Sequence, residues 1–164
     1  MSSSDKNLSQ HIPENLPNAA DMRFGIIVSD WNTEITEALY KASIEVLKKA
    51  SCRDENIFRL NVPGSFELPL GAKWILEAHA PDAVLCLGCV IQGETRHFDF
   101  ICQAVSEGIM QLGLEYKTPV IFGVLTTENK QQALDRSGGK YGNKGVEAAV
   151  SALHMASHKR KFGK

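Results

Sequence analysis

Long apolar runs are missing from this chain. No stretch of its 164 residues approaches the roughly 20 consecutive apolar residues of a membrane helix, so no membrane partner is expected. An excess of one charge is missing too: 18 Lys and Arg stand against 19 Asp and Glu, for a formal net charge of −1. That balance argues against a protein whose main work is neutralising a phosphate backbone, and no nucleic-acid partner is expected. Residues 1–21 lack the charged-then-apolar order of a secretory signal, which points to a cytoplasmic protein. Its four cysteines are then expected as reduced thiols rather than as a disulfide framework. What is present suffices for a fold. With 43% hydrophobic residues, a chain of this length buries roughly 70% of the surface its unfolded form exposes and needs no metal or disulfide staple.

Residues 1–20 are polar, carry Pro13 and Pro17, and show no helical or strand period. They are expected to form a flexible arm, with at most one short stretch that docks. Residues 21–164 are expected to form a single domain. Within it, Phe24 to Ser29 is a short β-branched apolar run, hence a buried strand, and Ile35, Leu39, Ala42, Val46 and Ala50 then recur at helical spacing. Ile57 to Val62 reads as a second strand, followed by a helix from about Phe66 to Ala78, where Pro69 is tolerated only near the first turn. Ala83 to Ile91 is a third strand, Ile101, Val105, Ile109 and Leu112 mark a helix, and Val120 to Leu125 is a fourth strand. A short helix from Glu128 to Arg136 and a last one from about Lys144 to His158 complete the pattern. Strands alternating with helices predict an α/β fold with a parallel sheet. The strands are continuous apolar runs, as a sheet covered on both faces requires.

In such a sheet ligands bind at the carboxyl ends of the strands. The informative residues are therefore Ser29 to Asn32, Asn61 to Glu67, Gln92 to His97 and Thr126 to Glu128. Together they describe a site for a flat, polar, anionic ligand or ligand pair. Trp31 and Phe66 can offer ring faces to a heterocycle. Gly64 and Gly93 let backbone N–H groups come close to a ligand. Glu94 and Thr95 are expected to open a helix whose N-terminus favours an anion. His97 is the one histidine on these edges, and imidazole ordinarily titrates near pH ~6.5, so it is the natural proton carrier. Taken singly, each residue has a plainer explanation as core, interface or solvated first-turn side chain; the case rests on their convergence.

Other motifs fail on geometry. Cys86 and Cys89 have the C-x-x-C spacing, but three residues apart on a strand they point to opposite faces and cannot share a metal, so no metal site is expected. Gly88 to Gly93 has the two glycines of a phosphate loop, yet Glu94-Thr95 stands where Lys-Ser/Thr is needed. The basic tail from His158 to Lys164 is expected to be a frayed, solvated helix end. Residues 136–145, with four glycines and three cations, are either an ordinary turn between helices or a loop able to cradle phosphate.

Taken in order, Trp31-Asn32, Pro63 to Glu67, Gly88 to Asp99, Pro119 to Thr126, Asp135 to Gly139 and Gly142 to Gly145 resemble the 6,7-dimethyl-8-ribityllumazine synthase family. The likeness runs from about Arg23 to Ala156. It implies a three-layer sandwich, a four-stranded parallel sheet flanked by helices with flavodoxin-like topology. The implied activity is condensation of 5-amino-6-(D-ribitylamino)uracil with 3,4-dihydroxy-2-butanone 4-phosphate, without a metal or organic cofactor. The product is 6,7-dimethyl-8-ribityllumazine, the penultimate compound of riboflavin synthesis.

By resemblance, His97 is the general acid/base. Trp31 and Phe66 bound the pyrimidine, with Phe122 as a further ring, and Asn32 beside them is a further substrate-binding residue. Ser65 and Glu67 meet the ribityl chain, while Cys89, Val90 and Ile91 supply backbone contacts to the uracil. Glu94 and Thr95 meet the phosphate with Arg136 as its counter-charge, and Lys144 stands near the second substrate. Many relatives carry Arg where this chain has Gln92, a small residue where it has Glu94, and Phe where it has Trp31. The resemblance further implies a homopentamer in which Phe122 and Arg136 serve a neighbour's site. Some members stack twelve pentamers into an icosahedral shell, and the compact turn from Ser137 to Gly145 resembles theirs. Riboflavin synthase is a further associate the resemblance allows, and the N-terminal arm is expected to add a strand to a neighbour's sheet. A non-catalytic relative that binds flavin or lumazine stays open as the alternative, although His97, Arg136 and Lys144 argue against it.

Overall fold

The structure is a computed structural model and describes residues 15–163. Its elements are β1 (Phe24–Ser29), α1 (Thr33–Lys49), β2 (Ile57–Val62), α2 (Leu68–His79), β3 (Ala83–Ile91), α3 (His97–Glu115), β4 (Val120–Thr127), α4 (Lys130–Arg136), β5 (Ser137–Gly139), β6 (Gly142–Asn143) and α5 (Lys144–Phe162). The first four strands form one parallel sheet in the order β2-β1-β3-β4. The three-layer α/β sandwich expected from the alternating pattern is the fold observed.

The pleat explains how one sheet supports two cores. Phe24, Ile26 and Val28 of β1 and Leu85, Leu87 and Cys89 of β3 join Leu39 and Val46 of α1 and Ala149, Ala152 and Leu153 of α5. Their alternates, Ile27, Val84 and Cys86, join Leu68, Ala72 and Ile75 of α2 and Val105 and Ile109 of α3. Cys86 and Cys89 thus lie in opposite cores, as their spacing on a strand requires. Burial pushes the Cys89 thiol up to about 11 and raises the Cys86 thiol as well, so both are neutral packing groups.

One close approach positions α5. A Cβ on Gly145 would lie 2.0 Å from the Leu39 carbonyl oxygen, so only glycine lets the two helices meet there. Ser43 Oγ then reaches across and donates to the Gly145 carbonyl at 2.9 Å.

The structure corrects several boundaries. Residues 1–14, with most of the expected arm, lie outside the described residues, as does the strand it was expected to add to a neighbour. Of the remainder, Ala19 is fully buried and donates its N–H to Ala50 O at 2.8 Å, while Leu16 packs on the same core. Residues 65–67 form a 3-10 turn before α2, which puts Pro69 in the first turn where its missing N–H costs nothing. The helix expected to open at Glu94-Thr95 begins at His97, because residues 92–96 are all exposed and have no core to pack on. The tail expected to fray stays helical to Phe162, since Lys159 and Arg160 find partners at the base of the sheet. Residues 137–143 are neither plain turn nor open loop: β5 and β6 pair as a small antiparallel hairpin.

Candidate active site

Three strand ends and the turns after them build one pocket. Its cavity, of about 300 Å³, is lined by Trp31 and Asn32 after β1, Ser65, Phe66 and Glu67 after β2, and Cys89, Val90 and Ile91 at the end of β3. His97, Gly64 and Ile101 complete the wall. Ten of the residues singled out in the sequence therefore meet at one place.

Backbone pairing fixes the β1 turn. Asp30 N–H donates to Val62 O at 2.8 Å and Trp31 N–H to Pro63 O at 3.0 Å, so β2 holds the turn by its main chain. Asn32 adopts a left-handed φ of 63°, which asparagine tolerates better than most residues. From there its Nδ2 donates to the Cys89 carbonyl at 3.1 Å, bracing the β1 turn against β3. Trp31 is left 73% exposed and Phe66 56% exposed. Rings that a folded chain would normally bury are held open at the pocket mouth.

The polar groups of the pocket are only partly used. Glu67 Oε2 accepts from Gly64 N–H at 3.0 Å, which closes the 3-10 turn and directs the carboxylate along the pocket wall. Ser65 is buried, and its Oγ has no hydrogen-bond partner among the described residues. A buried, unpaired hydroxyl costs about 1–3 kcal/mol unless a ligand meets it. Gly88 leaves the room for that hydroxyl, because a Cβ there would stand 2.6 Å from Ser65 Oγ. His97 begins α3, with its N–H donating to Thr95 Oγ1 at 3.4 Å.

The other predicted residues stand apart. Glu94 and Thr95 are exposed in the turn that enters α3. Arg136 ends α4 and faces a second cavity of about 520 Å³ with Gln92, Thr126, Thr127 and Glu128. Lys144 is ion-paired with Glu147 at 2.6 Å in the first turn of α5. Phe122 lies on the edge strand β4, facing an apolar trough of about 640 Å³ between α3 and α5. Within one chain, Phe122, Arg136 and Lys144 thus stay outside the pocket that holds His97. No group of three or more His, Cys, Asp or Glu among the described residues could hold a metal ion, and no described helix is long and apolar enough to cross a membrane.

Two residues of these surfaces were not anticipated. Ile101 lines the pocket one helical turn after His97, a spacing that the sequence carries openly. Tyr141 lines the second cavity beside Arg136, and only the hairpin brings it there.

A doubly covered parallel sheet whose carboxyl edge carries a small pocket, lined by two exposed rings, aliphatic side chains and a few polar groups, defines an α/β protein with its cavity at the edge where such sheets take their ligands. Comparison with known proteins identifies the family. The family model for 6,7-dimethyl-8-ribityllumazine synthase matches residues 21–160. The lumazine synthase of Cytophaga hutchinsonii is 61% identical over 94% of this chain and 97% of its own length. That of Flavobacterium johnsoniae is 53% identical over 95% of this chain and 82% of its own. That of Phocaeicola vulgatus is 46% identical over the whole of this chain and 98% of its own. The chain belongs to the 6,7-dimethyl-8-ribityllumazine synthase family.

Proposed function

We propose that the pocket holding His97 is where this chain carries out its family's reaction. That reaction, a transferase step of riboflavin biosynthesis, joins 5-amino-6-(D-ribitylamino)uracil to 3,4-dihydroxy-2-butanone 4-phosphate and releases 6,7-dimethyl-8-ribityllumazine, phosphate and water. The observation that carries the assignment is the meeting of exposed rings, an unpaired buried hydroxyl, a carboxylate and a histidine around one small cavity.

Each group has work that suits it. Trp31 and Phe66 cover the faces of the pyrimidine, and the β3 backbone from Cys89 to Ile91 lies along its polar edge. Ser65 Oγ and the Glu67 carboxylate meet hydroxyls of the ribityl chain. His97 moves the proton as the aromatic amine adds to the carbonyl and water leaves, a contribution typically worth about 10²–10⁴-fold. Holding two substrates in contact supplies the larger share, since effective molarities for well-placed partners reach about 10⁵ M or more. Neither role calls for a metal or an organic cofactor.

The phosphate is met by Glu94 and Thr95 of one copy and by Arg136 of the next, Phe122 of that next copy adds its ring to the pyrimidine, and Lys144 stands near the second substrate. The separation of Arg136, Phe122 and Lys144 from the His97 pocket supports a shared site. Two different apolar surfaces support a ring of copies: the trough beside β4 with Phe122, Met155 and Phe162, and the exposed Phe66, Leu70 and Trp74 of the 3-10 turn and α2. Unlike surfaces that meet head to tail close into a ring when the rotation allows. A homopentamer in the cytoplasm is the assembly proposed, with twelve pentamers in an icosahedral shell as its larger form and riboflavin synthase as an associate.

The test is turnover of the purified protein with both substrates, followed by lumazine absorbance over the uncatalysed background. Acceleration is expected, weakened by His97→Ala and by Arg136→Ala. Mixed assemblies of the two variants are expected to recover turnover that neither shows alone, because intact sites form between unlike neighbours. A background rate from correctly assembled protein would leave a flavin-binding relative, and no recovery on mixing would put Arg136 in its own chain's site.

A further inference from the structure

The second cavity holds an arginine, Arg136, that makes no ion pair among the described residues. Four of the six arginines sit against a carboxylate: Arg53 on Asp21, Arg59 on Glu37, Arg96 on Asp99 and Arg160 on Asp82. Arg136 forms no ion pair among the described residues, although Asp135 and Glu128 line the same cavity. Those carboxylates are engaged elsewhere, Asp135 Oδ1 accepting from Gln131 Nε2 at 2.9 Å and Glu128 Oε2 from Gln132 Nε2 at 3.1 Å.

Two contacts hold Arg136 instead. Its Nη1 donates to the Gln132 carbonyl one turn back, at 3.2 Å. Its guanidinium carbon lies 4.8 Å from the centre of the Tyr141 ring. Lys140 Nζ is 5.0 Å from the same centre, so one aromatic ring gathers both cations of this corner. The ring is itself well placed, because Tyr141 N–H donates to the Asp135 carbonyl at 2.7 Å and ties the hairpin tip to the end of α4. Gly138 and Gly142, at φ of 126° and 81°, allow the hairpin to fold back over the helix end. A cation over a ring keeps its outward N–H groups free, whereas a carboxylate would occupy them.

We propose that Tyr141 is a positioning residue for phosphate recognition: its ring holds the Arg136 guanidinium in place without an ion pair, ready for the phosphate of the four-carbon substrate. The proposal rests on the reading of Arg136 as the counter-charge of that phosphate, and the experiment separates the two.

KM for each substrate and the inhibition constant of inorganic phosphate are measured for the full-length protein and for Tyr141→Leu, Tyr141→Phe, Arg136→Ala and the Tyr141→Leu/Arg136→Ala double variant, with particle size as control. Tyr141→Leu is expected to raise KM for the phosphate substrate and the phosphate inhibition constant by about three- to tenfold. KM for the pyrimidine should stay within about twofold, because Trp31 and Phe66 are untouched. Tyr141→Phe keeps the ring and is expected to restore wild-type values. In the double variant the leucine should add nothing to the loss caused by Arg136→Ala. Should Tyr141→Leu fail to assemble, Tyr141→Gln removes the ring while keeping a polar side chain at this exposed position. Unchanged phosphate constants in a ring-less variant, with Arg136→Ala impaired, would overturn the role of Tyr141. An Arg136→Ala variant with unchanged phosphate constants would instead overturn the reading of Arg136. A Tyr141→Phe variant as impaired as Tyr141→Leu would overturn the ring contact in favour of the hydroxyl.

Discussion

The two ends of the parallel sheet treat polar groups in opposite ways. At the amino end the charges are paired. Asp82 accepts from Arg160 Nε and Nη2 at 2.8 and 2.9 Å and from the backbone N–H of Arg23 at 2.8 Å. Lys159 donates to Thr118 Oγ1 and to the Pro81 carbonyl, while Arg53 holds Asp21 and the Ala20 carbonyl. At the carboxyl end several groups are left without partners among the described residues, even though Lys144 is held by Glu147: two rings stand open, Ser65 Oγ is unpaired, and Arg136 makes no ion pair. One end fastens α5 and the chain entering β1 to the sheet. The other leaves groups unpaired where the proposed site would use them.

The sharpest way to break this comparison is to show that a carboxyl-end group supports the fold more than the chemistry. His97→Ala is expected to lower kcat by about 10²–10⁴-fold. Its side chain is exposed, so the thermal midpoint should move by no more than the equivalent of about 0.5 kcal/mol. Turnover and a melting curve on the same sample decide it. A large fall in melting temperature with turnover intact would reverse the assignment of roles.

The amino end gives the converse and a smaller effect. Asp82→Ala leaves Arg160 and the Arg23 N–H without their shared acceptor. Loss of the charge-assisted bonds is expected to cost about 1–3 kcal/mol, or roughly 2–4 °C in melting temperature for each kcal/mol in a chain of this size. Both KM values in the folded protein should match the wild type. A changed KM would mean that the amino end communicates with the pocket.

The carboxyl-end residues were more legible in the sequence than the amino-end ones, for a physical reason. Strands β1, β2 and β3 are short runs with turn residues behind them, so their ends, and with them Trp31, Phe66 and His97, could be placed by position alone. Trp31 and Phe66 gather with His97 because a parallel sheet brings all its strand ends to one edge. The fastening at the amino end depends on partners far apart in the chain: Asp82 and Arg160 are 78 residues apart, and Lys159 and Thr118 are 41. No local pattern marks such pairs, which is why the last turns of α5 read as a solvated tail. The start of α3 and the β5–β6 hairpin were hidden for a related reason, since residues 92–96 and the hairpin tip are exposed and leave no hydrophobic period to read. Tyr141 fell into that gap. Phe122 and Arg136 are a different case: their sequence context marks them, but within one chain they line other cavities than the one that holds His97.

The smallest expected effect sharpens the comparison by pH. Asp82 is partly desolvated, which alone would raise its carboxyl; the Arg160 hydrogen bond, the Arg23 N–H and the nearby positive charges outweigh this and hold it below its ordinary value of 3.8. A carboxyl whose folded value lies below its unfolded one stabilises the protein fully above the unfolded value, and loses that contribution as pH falls through the folded one. The melting-temperature gap between wild type and Asp82→Ala should therefore stay constant from neutral pH down to about pH 5, and narrow only below about pH 4. Melting both proteins across that range, at low and at moderate salt, measures it. A gap constant to pH 3 would mean that the Asp82 contribution comes from packing and not from its charge.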